Sequence, residues 1–218
     1  MKKILFIIFT IPIGLLAQDS NTLGGIFDFN KSIRMNHNWS LKSKGQARFE
    51  LPKENDLESE KRLDLQSVIQ RNFFANKAIA FGAMYRFQKN VELLRLIQQF
   101  SMIHKLERMK LAHRFRLDES INTMESTSVL WRLRYRFGIQ FTLDGFQLND
   151  KENYFLPEVE LLSKHQSNIS RLELRLGAAY GYAYKSSNRG ELGLDYRLLD
   201  LGNADQEKQL WLVLAFFI

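Results

Sequence analysis

Apolar and polar residues alternate along most of the chain with a period of two. The stretch 171–184 shows this most fully. Leu172, Leu174, Leu176, Ala178, Tyr180, Tyr182 and Tyr184 fall on one parity, and Arg171, Glu173, Arg175, Gly177, Ala179, Gly181 and Ala183 on the other. Successive side chains of a strand point to opposite faces, so this is a ribbon with one apolar face and one face of charges and small residues. Three tyrosines end the apolar face, and tyrosine suits a membrane–water boundary. Over 129–143 the pattern recurs, with Trp131, Leu133, Tyr135, Phe137, Ile139 and Phe141 against Arg132, Arg134, Arg136, Gly138 and Gln140. Weaker copies cover 39–51, 62–73, 78–87, 111–118, 154–162, 191–199 and 210–218, separated by polar, Asn-, Gly- or Pro-containing turns.

Three stretches fit less well. Over 92–106, Leu93, Leu96, Ile97, Phe100, Ile103 and Leu106 also trace a helical stripe. The strand reading, with Leu94, Leu96, Phe100 and Met102 on one face, is preferred because unmistakable strand follows. In 23–33 the rhythm is loosened by Gly24 and Gly25, and Pro157 suits a barrel strand only at a bulge or rim.

Eleven candidate segments result, of about 9–15 residues, the length a tilted strand needs to cross a bilayer. The expected fold is all-β: an antiparallel up-and-down transmembrane β-barrel. Bacterial barrels of this kind have even strand numbers. The expectation is therefore 10 or 12 strands, with 12 preferred; either 23–33 is not a full barrel strand or two strands have been merged. The competing architecture is a soluble sandwich with its charged faces in water and its apolar faces packed together. In lipid, only a closed barrel satisfies every backbone group of a sheet.

Composition sharpens this picture. The chain has 218 residues, 45% of them hydrophobic, and no cysteine, which excludes disulfides, thiolate metal sites and cysteine nucleophiles. Lys2 and Lys3, the apolar run 4–16 and Ala17 read as a signal peptide cleaved after Ala17. The expected organisation is a leader over 1–17 and a barrel over 18–218. Removing the leader lowers the formal charge of +7 by two lysines. Arginines that alternate with apolar residues on an exported chain argue against nucleic acid as a partner.

Inward parity gathers a ladder of charge: Arg114, Arg116, Arg132, Arg134, Arg136, Arg171 and Arg175 with Glu158, Glu160 and Glu173. Packed together, these would fill a narrow lumen with ion pairs and make the barrel structural. Were acids locally too few, the 132–136 stretch would favour anions, giving a small anion-selective pore or an anion-binding barrel. Trp39, Trp131, Tyr180, Tyr182, Tyr184 and Trp211 are the candidate aromatic girdle. At the C-terminus Leu210, Leu212, Leu214, Phe216 and Ile218 alternate in the manner of the terminal signature that outer-membrane assembly machinery reads. The expected partners are thus outer-membrane lipid and that machinery. A lipid-modifying enzyme is the remaining alternative: a two-residue turn at Arg108-Met109 would set His104 opposite His113, both outward, as a base or metal pair. No phosphate loop, zinc motif or nucleophile elbow is present, and no cofactor or metal is expected.

The run 113–117 (His-Arg-Phe-Arg-Leu), the run 131–137 (Trp-Arg-Leu-Arg-Tyr-Arg-Phe), the 38–41 turn exit (Asn-Trp-Ser-Leu), the Leu-Leu-Ala-Gln cleavage region and the late Gly-Ala-Ala-Tyr strand resemble a family of outer-membrane barrels from Bacteroidota, domain of unknown function 2490. The resemblance implies a barrel in the outer membrane of a Gram-negative bacterium. It supplies no activity and no catalytic residues.

Overall fold

The computed structural model describes residues 22–52, 60–89, 91–122, 129–167, 169–185, 188–202 and 206–218. The leader expected over 1–17 lies outside the described residues. Eleven strands follow in chain order: β1 (Thr22–Arg34), β2 (Trp39–Glu50), β3 (Lys61–Phe73), β4 (Lys77–Gln88), β5 (Val91–Lys105), β6 (Met109–Asn122), β7 (Leu130–Thr142), β8 (Glu152–Gln166), β9 (Ile169–Ala183), β10 (Arg189–Leu199) and β11 (Glu207–Phe217). Each strand pairs antiparallel with the next, and β1 meets β11 to close a barrel. The chain is all-β among the described residues.

The expectation of 10 or 12 strands is corrected to eleven. An even number follows only where every neighbouring pair is antiparallel. Here residues 22–30 run parallel to 209–217, and one parallel pair is what an odd number needs to close.

β1 is a full barrel strand despite its two glycines. A Cβ at Gly24 would collide with the Trp211 ring, and one at Gly25 with the Phe49 ring. Aromatic side chains therefore cover both glycines and restore packing that glycine lacks. Gly181 is treated alike: its cross-strand partner Tyr154 lies over it. Pro157 sits at neither a bulge nor a rim. The β7–β8 ladder stops at Gly138↔Glu158 and resumes in the same register at Phe141↔Phe155. The ring's missing N–H thus interrupts the ladder without shifting it.

β5 is strand, not helix, and its ambiguity has a physical source. Both of its faces are apolar. Ile97 points inward into a small buried cluster with Val68, Ala80 and Met84, while Leu94 and Leu96 are exposed on the outside. β6 runs on to Asn122 because Ser120 is buried inside, where a polar residue has partners. Around the barrel the outward parity carries large apolar side chains such as Phe27, Leu65, Phe81, Leu133, Leu192 and Leu212, each roughly half exposed. The inward parity carries the charge.

Candidate functional site

The barrel encloses an open space of about 950 Å³ whose described lining includes sixteen Lys or Arg and nine Asp or Glu residues. Strand register explains the crowding. Arg114 faces Arg136, and Arg116 faces Arg134, as direct cross-strand partners of β6 and β7. Arg175 faces Arg197, and Arg48 faces Arg62. Like charges set opposite one another are unfavourable unless something lies between them.

Carboxylates supply that on the β6–β9 wall. Asp118 meets Arg116 at 2.6 Å, Arg134 at 3.1 Å and Arg132 at 3.9 Å. Glu160 meets Arg136 at 3.0 Å, Arg114 at 3.1 Å, Arg175 at 3.3 Å and Arg134 at 3.8 Å. Glu173 holds Arg175 at 2.6 Å and Lys164 at 2.9 Å, and Glu158 meets Arg136 at 2.9 Å. Asp118 is fully buried and Glu160 and Glu173 nearly so. Desolvating such groups is costly, so their value lies in fixing one arrangement, and removing one partner is strongly unfavourable.

Other contacts extend the mesh. Arg95 Nε and Arg132 Nη2 both donate to the Ser120 hydroxyl, at 3.0 and 3.1 Å. Arg116 Nη1 donates to Gln66 Oε1 at 3.1 Å, joining β6 to β3 across the interior. The Tyr154 hydroxyl donates to Glu191 at 2.5 Å. On β3 and β4, Asp64 accepts from Arg86 Nε and Nη2 at 2.8 and 3.1 Å while also meeting Arg62 at 3.1 Å.

Nine of the ten ladder residues line or adjoin this space: Arg114, Arg116, Arg132, Arg134, Arg136, Glu158, Glu160, Glu173 and Arg175. Arg171 does not. It has inward parity but stands at the start of β9, exposed, where it pairs with Asp200 at 3.4 Å. Arg132, Arg134 and Arg136 are each within reach of a carboxylate, so that stretch is not the unpaired one. Sequence reading missed Arg95, hidden by the doubtful parity of β5, and the polar roles of Ser120 and Tyr154. It also named no special role for Arg48.

Of the girdle candidates, Trp39, Trp131, Tyr180, Tyr182 and Tyr184 are outward and exposed. Trp211 is corrected to an inward position. It is 3% exposed, lies over Gly24, and has Arg48 and Arg197 at 5.9 and 5.2 Å from its ring. Parity demands this: with Leu210, Leu212, Leu214 and Phe216 on one face of β11, Trp211 must take the other. Ile218 lies one residue past β11 and continues the seam, exchanging backbone hydrogen bonds with Asn30 and Ser32.

His104 and His113 are outward but not directly opposite. Register pairs His104 with Leu111 and His113 with Met102, because the turn falls at Glu107-Arg108. The rings still meet edge-on at 6.0 Å. His113 Nδ1 is hydrogen-bonded to the Tyr135 hydroxyl at 3.0 Å, an aromatic partner rather than a nucleophile. Among the described residues no cluster of three His, Cys, Asp or Glu side chains could hold a metal.

No curated protein and no solved structure matches the chain. A family model does match, over residues 25–208, which is most of the barrel. The chain therefore belongs to the family described as protein of unknown function (DUF2490).

Proposed function

We propose that the chain is an outer-membrane β-barrel of a Gram-negative bacterium, exported by a leader over 1–17, with a structural role and an interior braced by charge. One observation carries this reading: a closed barrel whose outward face is a belt of half-exposed Phe, Leu and Ile while guanidiniums and carboxylates such as Arg95, Arg116, Asp118, Glu160 and Glu173 are among its buried groups. A water-soluble barrel would reverse that distribution. Trp39, Trp131 and Tyr180–Tyr182–Tyr184 would sit at the lipid boundary, and the outward face of β11 would carry the signal for assembly. The Arg116–Gln66 strut and the Asp118 and Glu160 nodes would make the lumen a mesh. The test is membrane fractionation with heat-modifiable gel migration, followed by planar bilayer recording. Failure to sediment with outer membranes would refute the location, and a steady current well above leak would refute the mesh.

A second reading is supported by the excess of Lys and Arg over Asp and Glu around the space. A lumen of that sign attracts anions. In the same recordings, a reversal potential set by the anion gradient would favour it over the purely structural reading.

A further inference from the structure

The positive charge of the interior is not evenly compensated. On the β6–β9 wall every guanidinium that faces another has a carboxylate in ion-pair range. On the opposite wall the Arg48–Arg62 pair has one carboxylate to share, Asp64, and Arg86 already grips that group with two nitrogens. Among the described residues Arg48 has no ion pair at all. It faces Arg62 across the ladder and shares the Trp211 ring with Arg197, whose own charge is met by Asp195.

Arg48 is nevertheless held in place. Asp28 accepts from Gln46 Nε2 at 2.6 Å, which turns the Gln46 carbonyl oxygen toward Arg48 Nε at 2.8 Å. The Trp211 ring lies 5.9 Å from the guanidinium and 5.2 Å from that of Arg197. Only Nε is used by these contacts. No nitrogen of Arg48 is among the buried atoms lacking a partner, so Nη1 and Nη2 open onto the enclosed space. An ordered guanidinium, oriented through its Nε, with its Nη edge free beside a second guanidinium, has the form of an oxyanion receptor.

We infer that Arg48 and Arg62, backed by Trp211 and Arg197, form a binding site for a phosphate-type oxyanion inside the barrel. Arg48 supplies a bidentate edge and Arg62 adds a second cation; with Asp195 answering Arg197, the cluster Arg48, Arg62 and Arg86 against Asp64 keeps two positive charges, which match a doubly charged anion. The site deepens the anion reading above and rests on it. It is displaced from the 132–136 stretch, whose arginines are engaged by Asp118, Glu158 and Glu160. The shared chemistry is a phosphate group, free or borne as a monoester.

The test is calorimetric titration of the full, detergent-folded barrel with inorganic phosphate at constant ionic strength. Glycerol phosphate serves as a second titrant to separate the free ion from an ester. The expected result is one phosphate per barrel. Arg48→Gln should weaken binding by about tenfold or more, the loss expected of a charge-assisted hydrogen bond. Arg48→Lys should recover only part of the affinity, because an ammonium lacks the fork. Lys42→Gln is the control: Lys42 is also inward on β2, has no ion pair among the described residues, and lies about 20 Å along the strand at the ordinary rise. Heat-modifiable migration confirms that each variant is folded, and Arg48→Lys serves if Arg48→Gln does not fold. No phosphate binding to the unaltered barrel would overturn the site, even if bilayer currents proved anion-selective. Equal losses in Arg48→Gln and Lys42→Gln would overturn it too, since a diffuse field would then suffice. Binding of the ester but not of the free ion would leave the site standing with its ligand a monoester.

Discussion

Glu160→Gln tests the charge brace most directly. Glu160 is 3% exposed and has four guanidiniums within 4 Å. The amide keeps shape and an acceptor oxygen but removes the charge. The four arginines are not equally affected. Arg136 retains Glu158, Arg175 retains Glu173, and Arg134 retains Asp118. Arg114 has no second carboxylate in ion-pair range among the described residues, so it becomes a part-buried cation, 29% exposed, without an ionic partner. Stranding one member of a fully buried pair costs about 3–5 kcal/mol, and the partial exposure of Arg114 lowers this to about 2–3 kcal/mol. Glu158→Gln provides the contrast: Glu158 is about a third exposed, and its partner Arg136 keeps Glu160. Its loss should cost about 1 kcal/mol or less, as for a solvent-screened pair.

Equilibrium urea unfolding of the barrel in detergent micelles, followed by tryptophan fluorescence and gel migration, reads the difference. It should amount to roughly one to two decades in the folded-to-unfolded ratio, at 1.4 kcal/mol per decade. A cycle with Arg114→Met sharpens the attribution. If the cost arises from the stranded cation, the double variant should be more stable than the summed single effects by about 1–3 kcal/mol. Equal stabilities for Glu160→Gln and Glu158→Gln, or strict additivity with Arg114→Met, would refute the proposition that Glu160 organises this wall.

Further expectations follow from the same geometry. Gly181→Ala places a methyl group against the Tyr154 ring and should destabilise by about 1–3 kcal/mol in the same unfolding assay, as overpacking does; no change would mean that the ring does not rest there in solution. Tyr154→Phe removes the donor to Glu191 and should cost about 1–2 kcal/mol, with fluorescence-monitored unfolding as the check. Pro157→Ala supplies the missing N–H opposite 139–140, and amide exchange should then show new protection there with stability changed by about 1 kcal/mol or less. His113→Phe should leave barrel stability within about 1 kcal/mol and phospholipid turnover unchanged, since the ring's partner is a tyrosine hydroxyl on an outward aromatic surface.

The two-residue rhythm carried most of the architecture because an inward charge and an outward apolar residue differ maximally in hydropathy. Stretches 129–143 and 171–184 obey it almost without exception, and β7 and β9 fall where it places them. It failed where the faces did not contrast. β5 is apolar on both sides, since Ile97 belongs to an internal cluster, so its parity and with it Arg95 stayed obscure. The 119–122 end of β6 is polar on its inner face and reads as loop, although Ser120 is among the most buried residues. Gly24 weakens β1 in sequence, and the compensating ring comes from Trp211 at the far end of the chain, which no local pattern reveals. Closure through a parallel pair is likewise a property of the whole ring. The charge ladder was visible as composition, but which arginine meets which acid depends on register, and a two-residue slip at the 106–109 turn is enough to separate His104 from His113.

Register also explains why bracing and binding can coexist in one barrel. Four pairs of arginines face each other across adjacent strands: 48 with 62, 114 with 136, 116 with 134, and 175 with 197. Opposed like charges cost a few tenths to about 1 kcal/mol each, so each pair needs an offset. Glu160 spans the second pair, Asp118 spans the third, and Glu173 and Asp195 serve the fourth. The first pair has one carboxylate, Asp64, which meets Arg62 and is also gripped by Arg86, so Arg48 is left without an ion pair among the described residues, yet it is oriented by Gln46 and Trp211. A protein that spends order on holding two cations together, while the opposite wall neutralises its own, leaves room for an anion that is not part of the chain. The brace would then fix the ring's shape from β6 to β9 and keep the β2–β3 wall open to a ligand. Loss of Glu160 should accordingly lower stability far more than it lowers phosphate affinity, and loss of Arg48 should do the reverse.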